Sequence, residues 1–470
     1  MIDLDNFIKA PKSLLIAPAG FGKTHTIAEC LTILAVNSRK ELILTHTHAG
    51  VGSIKEKLKK QNVHSNYEVE TISSFVQRYV LAYNYDDKVP NQEDSKRYYS
   101  FLNQSALQLF KTNIIQKVIK ASYSGLFVDE YQDCTKTQHQ IIKVLADLLP
   151  TRLLGDFLQG IFEFNEPTVN LNCISEMDGF IQNYFELSIP QRWQRGNNEI
   201  LGNDLKTIRE KIIRKETINL KSYKSIEVFE YPSLDIHTPK TNYNKLLWKL
   251  IENNNSLLIL HSNTTSVEPR KKITQKFNGA LNLIESIDDK LFYKAAAILD
   301  ELDLNNMALK LYELSLLLFN KTEINKWFNE KGLKRKTKLE DKTIIEEINQ
   351  LSVNLSVNLH KIVDIIAKLP NVRCYRPEIL SSLLKAIENA DSENLTIYES
   401  MINYRNSIRR FGRKIEGKCI GTTLLTKGLE FDTVLILDAN KFTCPKHFYV
   451  AITRACKRLV IVTENTNLKF

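Results

Sequence analysis

Two carboxylates side by side at the end of an apolar run are the first sign of chemistry in this sequence. In LFVDEYQD, Leu126 to Asp133, a stretch able to form a buried strand ends on Asp129 and Glu130. Adjacent acids there suit a divalent cation and a water to be activated. They equally suit the N-cap of a helix starting near Thr135. A second stretch, LLIAPAGFGKTHTI from Leu14 to Ile27, bears on the choice. An apolar strand runs into Ala17, Gly20, Gly22, Lys23 and Thr24 and then into an amphipathic helix. Glycines let backbone amides wrap a phosphate, and the helix N-terminus adds positive potential. Lys23 is expected to reach the β/γ-phosphates of ATP, and the Thr24 hydroxyl to ligate Mg²⁺. Ala17 stands where the strict GxxxxGK[ST] pattern has Gly. Beside such a loop, Asp129 is expected to hold Mg²⁺, directly or through water, and Glu130 to polarise the attacking water.

Three further blocks carry polar residues at suggestive places. LLGDFLQGIF (Leu153–Phe162) ends a strand on Gly155-Asp156, with Gln159 three residues on, where it could sense a γ-phosphate. TTLLTKGLEF (Thr422–Phe431) and YVAITRA (Tyr449–Ala455) each join a regular element to a polar cluster. Arg454 could meet the γ-phosphate across a cleft as an arginine finger supplied in cis. Taken singly, GDxxQ is a common loop composition, and an isolated Arg is as readily a surface helix residue.

The elements that must position these residues follow from the apolar pattern. At 470 residues the chain exceeds what one core usually covers, so two to four domains are expected. Up to about Pro190, the runs Leu14–Ala17, Glu41–Thr45, Leu126–Asp129 and Arg152–Leu154 alternate with helical patterns, which predicts a parallel α/β sheet. Strand signals return at Ile226–Tyr231 and Ser256–Leu260, give way to periodic Leu/Ile from about 265 to 412, and resume at Lys418–Thr422, Val434–Asp438 and Leu459–Thr463. The expected division is a first α/β domain (1–80 and 118–190) interrupted by a helical insertion (81–117). A second α/β domain (191–264 and 415–470) is interrupted by a longer one (265–414).

A 43% apolar and 25% charged composition fits a globular chain, and no apolar run approaches the roughly 20 residues of a membrane helix. The seven cysteines form no CxxC pair, which suits reduced thiols in a cytoplasm. A net charge of +10 favours polyanionic partners. Basic clusters stand at Lys331–Lys338 (KGLKRKTK) and at Arg405, Arg409, Arg410 and Arg413, each suited to duplex contact or simply to a solvated face.

In order along the chain, APAGFGKT, LTHTHAG, TISSF, VDEYQD, GDFLQGIF, PQRW, TKGLEF and YVAITRA resemble the motifs of UvrD/Rep-type superfamily 1 DNA helicases, in a compact form. The resemblance implies two RecA-like P-loop domains, each with a helical insertion, and ATP hydrolysis in the cleft between them. It assigns Lys23, Thr24, Asp129 and Glu130 the roles given above, and makes Gln159 a γ-phosphate sensor linked to the DNA strand. Arg192 and Arg454 become the two arginines from the second domain, and Gly428 and Glu430 the block touching ribose and DNA. His46, Thr47, Thr71 and Phe164 become single-stranded-DNA contacts, with aromatic rings as stacking platforms. The chain departs from the pattern at Gln191, where a base-stacking Tyr is usual, at His46 for Phe, at Phe164 for Trp and at Leu424 for His. The expected activity is ATP-driven translocation on single-stranded DNA or at a single-strand/duplex junction, 3′ to 5′. The alternative is a DNA-sensing ATPase subunit that regulates a protein partner such as a nuclease. No membrane partner is expected.

Overall fold

In the computed structural model the described residues are all except 1, 37–38, 65, 84–88, 91–94, 163–165, 263–265, 278–279, 285–288, 330 and 412–416. Six strands make the first sheet: β1 (Lys12–Ile16), β2 (Lys40–Thr45), β3 (Tyr67–Thr71), β4 (Tyr123–Val128), β5 (Thr151–Gly155) and β6 (Tyr184–Glu186). All are parallel, in the order β3-β2-β4-β5-β1-β6. The inner strands are near-continuous apolar runs because helices cover both faces of a parallel sheet. Since β4, β5 and β1 are neighbours, the loops leaving their carboxyl ends lie side by side, where α/β sheets bind ligands.

The expected insertion at 81–117 holds the helix Ser95–Leu109 and the start of Asn113–Ser122. Tyr98, Leu102, Ala106 and Phe110 bury one face of this segment against Phe75 and Tyr79, in the same core as Leu126 and Leu153. Its described residues form a layer on the first sheet.

After the two-residue strand β7 (Ile218–Asn219) comes the second sheet, with β8 (Ile226–Glu230), β9 (Leu257–His261) and β10 (Asn282–Leu283). The chain then forms helices and a small antiparallel pair, β11 (Phe328–Asn329) with β12 (Gly332–Leu333), and returns as β13 (Lys418–Gly421), β14 (Phe431–Leu437) and β15 (Ala455–Thr463). The second sheet is also parallel throughout, in the order β10-β13-β9-β14-β15-β8. β16 (Asn467–Leu468) closes antiparallel on β7. Two six-stranded parallel sheets flanked by helices are the two RecA-like domains expected.

Compactness divides the chain into Met1–Glu285 with Phe411–Phe470, and Ser286–Arg410. β10 pairs with β13, so Asn282 and Leu283 belong to the second sheet although they lie within the stretch 265–414 expected as an insertion. In the first unit, Leu15, Phe127 and Leu154 from one sheet share a core with Leu260, Val434 and Ile461 from the other. The helical unit has its own core, including Phe292, Leu314, Ile362, Leu383 and Met401. Within it, part of the basic stretch 331–338 is tied to structure: Lys334 Nζ donates to Asn325 O at 2.6 Å, and Lys336 Nζ sits 3.9 Å from the centre of the Trp327 ring. The side chains of the arginine cluster at 405–413 lie outside the described residues. Among the described residues no helix is long and apolar enough to cross a membrane.

Candidate nucleotide site

The loop after β1 turns through two left-handed glycines, Gly20 at φ +78° and Gly22 at φ +102°. Each also lies against the segment that joins the two sheets. A Cβ on Gly20 would fall 2.7 Å from the Trp193 ring, and one on Gly22 2.9 Å from Gln191 Oε1. Ala17, fully buried, donates its amide to Gly155 O at 2.9 Å and so ties the loop to the end of β5. Lys23 opens the helix Lys23–Ile33, with Thr24 next in its first turn.

Lys23 Nζ lies 2.8 Å from Glu130 Oε1. Burial works against the ammonium, but Glu130, Asp129 and Asp156 outweigh it and raise its pKa. Glu130 itself sits at φ +53°, outside any helix. Burial acts on its carboxyl too, yet Lys23 and then Lys427 hold it down at about 2. Burial and the neighbouring Glu130 charge push Asp129 up to about 6. The helix Lys136–Ala146 is capped by Thr135, in a reciprocal capping box with Gln138. Capping of this helix therefore uses neither Asp129 nor Glu130.

A bound Mg²⁺ fits these residues. Asp129 Oδ1 is buried with no hydrogen-bond partner, and Thr24 stands beside Lys23 at the same strand ends. Among the described residues no group of three or more His, Cys, Asp or Glu could hold a metal unaided. Mg²⁺ commonly takes one or two protein ligands and completes its octahedron with phosphates and water.

Asp156, after β5, organises the next layer. Its carboxylate accepts from Ala19 N (3.2 Å), Gln159 Nε2 (3.1 Å) and the buried Arg209 Nη2 (3.2 Å). Its amide donates to Gln132 Oε1 at 2.9 Å, and Gln132 Nε2 in turn donates to Glu130. Gln159 is therefore two hydrogen bonds from Ala19 in the loop after β1, through Asp156.

The second lobe reaches the loop directly. Ala19 N also donates to the buried Tyr449 OH at 3.2 Å. Arg192 N donates to Gly20 O (2.9 Å), while its guanidinium holds Glu430 Oε1 (2.8 Å) and Thr453 O (2.6 Å). Burial opposes ionisation of Glu430, but Arg192 and then Lys57 keep its pKa low. Arg454 is fully buried and donates to Val450 O (2.9 Å), Leu429 O (3.1 Å) and Thr453 Oγ1 (3.1 Å). Burial and the nearby Arg192 lower its pKa to about 10. Its donors are thus engaged within its own lobe. Gly428 turns at φ +83° with open space where a Cβ would stand.

Of the four residues expected at DNA, three are among the described residues. His46 is half-buried, and its ring stacks on Phe162 at 6.3 Å. Thr47 caps the helix His48–Lys60, accepting from Gly50 N at 3.0 Å. Thr71 is buried and accepts from Ser74 N at 3.0 Å. Phe164 lies outside the described residues.

One pair was not anticipated from sequence. Lys427 Nζ contacts both oxygens of Asp133 at 2.6 and 2.5 Å, and both side chains are buried. The ammonium also lies 4.5 Å from the Phe162 ring centre. Asp133 is pushed up to about 6 by burial against the pull of Lys427. Burial first, and then Lys427, lower His46 to about 4. The signal was present, since Asp133 ends the stretch LFVDEYQD and Lys427 sits in TKGLEF, but nothing local links them.

Known proteins resemble this chain over the segments that form the site. The AAA domain family matches residues 4–165, which hold the P-loop, DEYQD and GDFLQ segments. A curated relative, the Gabija protein GajB of Bacillus cereus (strain VD045), is 22% identical over 385 residues, covering 78% of this chain and 69% of that protein. Among solved structures, an arterivirus nonstructural protein 10 (helicase) with DNA is similar at a TM-score of 0.35 and 11% identity, over 98% of this chain. The PRRSV helicase is similar at 0.34 and 10%, also over 98%. The chain spans 62% and 53% of those two chains, and similarity at such scores has no weight of its own. The family match is confined to residues 4–165, and there the motifs and the parallel sheet are similar to those of the AAA domain family.

Proposed function

We propose that the chain hydrolyses ATP in the cleft between its two RecA-like lobes and uses the cycle to move 3′ to 5′ along single-stranded DNA. The observation that carries this reading is that Tyr449 and Arg192 bond to the P-loop at Ala19 and Gly20, so a nucleotide there would face both lobes. A phosphate would compete with Glu130 for the Lys23 ammonium. The Glu130 carboxylate, held ionised, could then accept a proton from the attacking water. Mg²⁺, held by Thr24 and Asp129, would neutralise phosphate charge. Gln159, fixed through Asp156, would report the γ-phosphate, and Glu430, fixed by Arg192, would meet the ribose. Release of the second-lobe contacts after hydrolysis would let the lobes separate and the strand advance.

A second reading, a DNA-sensing ATPase subunit that signals to a protein partner, is favoured by the likeness to GajB and by the altered stacking position at His46. Steady-state ATP hydrolysis with and without single-stranded DNA, beside Glu130→Gln, tests both. Expected are stimulation by DNA and a loss of about 100-fold or more in the variant. No turnover of Mg²⁺-ATP, or turnover indifferent to DNA, would overturn the motor. Stimulation without strand displacement would select the second reading.

A further inference from the structure

The helical unit 286–410 carries a groove that neither ATP nor DNA explains. It has a volume of about 690 Å³ and is lined by Leu302, Leu304, Leu355, Leu359 and Leu395. Leu304 is 70% exposed, while Leu359 forms part of the floor at 6%. A single exposed leucine is ordinary, but these five, with Leu299 as a sixth in the same lining, form a ready apolar seat.

Its electrostatics run against the rest of the molecule. The chain carries a net +10, yet Asp300, Asp303 and Asp391 line the groove. Two of these acids have structural work. Asp300 accepts from the amides of Ile397 and Tyr398 at 2.8 Å, and Asp303 from those of Asn305 and Asn306 at 2.8 Å. Asp391 does not, and neither does Glu393 two residues on. Both stand at the carboxyl end of the helix Pro377–Glu393, whose last turn has no basic residue. Helix carbonyl ends already bear partial negative charge, so acids there cost stability. Neither acid has an ion-pair partner among the described residues. Both acids therefore break the local helix rule with no ion pair in the described fold to offset it.

We propose that this groove docks a basic amphipathic helix of a partner protein. Leucine-type side chains at i, i+3/i+4 and i+7 would enter the groove, and flanking Lys or Arg would meet Asp391, Glu393 and Asp303. The same carboxylates repel phosphates, so the surface selects protein over nucleic acid. The inference stands apart from the ATPase reading, because docking is measured without nucleotide.

The test uses the full chain and a labelled peptide of about 18 residues, with Leu on one helical face and Lys on the other, at about 150 mM salt. Fluorescence anisotropy should show binding that weakens by about ten-fold or more when Lys is replaced by Glu in the peptide. It should weaken as much in the Asp391→Lys/Glu393→Lys variant, whose unchanged circular dichroism and thermal melting would confirm that it folds. Leu304→Ser, which keeps the charges, should also weaken it. Three results would overturn the proposal: no binding of the Lys peptide, equal binding of both peptides, or no effect of charge reversal. Concentration-dependent self-association abolished by Leu304→Ser would do so too, since it would make a second copy of this chain the occupant.

Discussion

Gly20 and Gly428 have nearly the same left-handed backbone, φ +78° and +83°, but different surroundings. A methyl group on Gly20 would press into the Trp193 ring, which is fully buried and donates Nε1–H to Ala455 O at 2.9 Å. On Gly428 it would meet nothing within 4 Å. Gly428→Ala should therefore cost only backbone strain, about 1 kcal/mol. Gly20→Ala adds overpacking and should cost about 2–4 kcal/mol in all. It should also raise the KM for ATP, because Trp193 cannot yield without shifting Arg192 and the loop it touches. Thermal melting and ATP titration of the two variants check this, and equal losses would show that Trp193 is not a wall of the site. The P-loop was legible as residues because glycine spacing is local information. That Trp193 enforces it was not, because the ring arrives from more than 170 positions away.

At the scale of elements, the strands missed by sequence reading have a common cause. β3, β6 and β10 had no expectation, and each lies at the edge of its sheet. An edge strand has one neighbour and less apolar burial, so it needs no continuous apolar run and can be short. β6 has three residues and β10 two, and β3 reads YEVET with only Val69 and Thr71 buried. The inner strands were legible because burial on both faces forces Leu, Ile and Val into one run. The fourth edge, β8, was visible only because IEVFE alternates. The join between lobes was hidden for another reason: Asp133 and Lys427 pair across 294 positions. Replacing Lys427 by Met would leave Asp133 as an unpaired buried acid that must be protonated in the folded state, at a cost of about 1–2 kcal/mol near neutral pH. The sign follows from linkage. Burial raises the folded Asp133 pKa to about 6, above its unfolded value of roughly 3.9, so its ionisation costs stability as pH rises between them. Without Lys427 the folded pKa climbs further. The deficit of Lys427→Met in melting temperature should hence be smallest near pH 5 and grow toward pH 8, and Asp133→Asn should relieve it. A pH-independent deficit would mean that lost packing, not the stranded charge, is responsible.

For the whole molecule, the balance of charge sets which partners each surface favours. A net +10 spread over 470 residues does not identify a ligand, and the acidic groove shows that the sign is not uniform. What a polyanion-binding surface does dictate is how affinity responds to salt. Each phosphate neutralised on a single strand releases about 0.7 of a counterion, so even three such contacts weaken binding by more than about ten-fold between 50 and 200 mM salt. Single-stranded DNA binding by the full chain should follow that slope. The docking of a basic peptide in the helical groove should weaken less steeply, because its leucines enter by apolar burial, which screening leaves untouched. Titrating both ligands against salt on one protein separates the two surfaces. If DNA affinity proved flat with salt, phosphate contact would not be the source of binding, and the translocase reading would lose its track. If the peptide instead fell as steeply as DNA, the leucine groove would not be its seat.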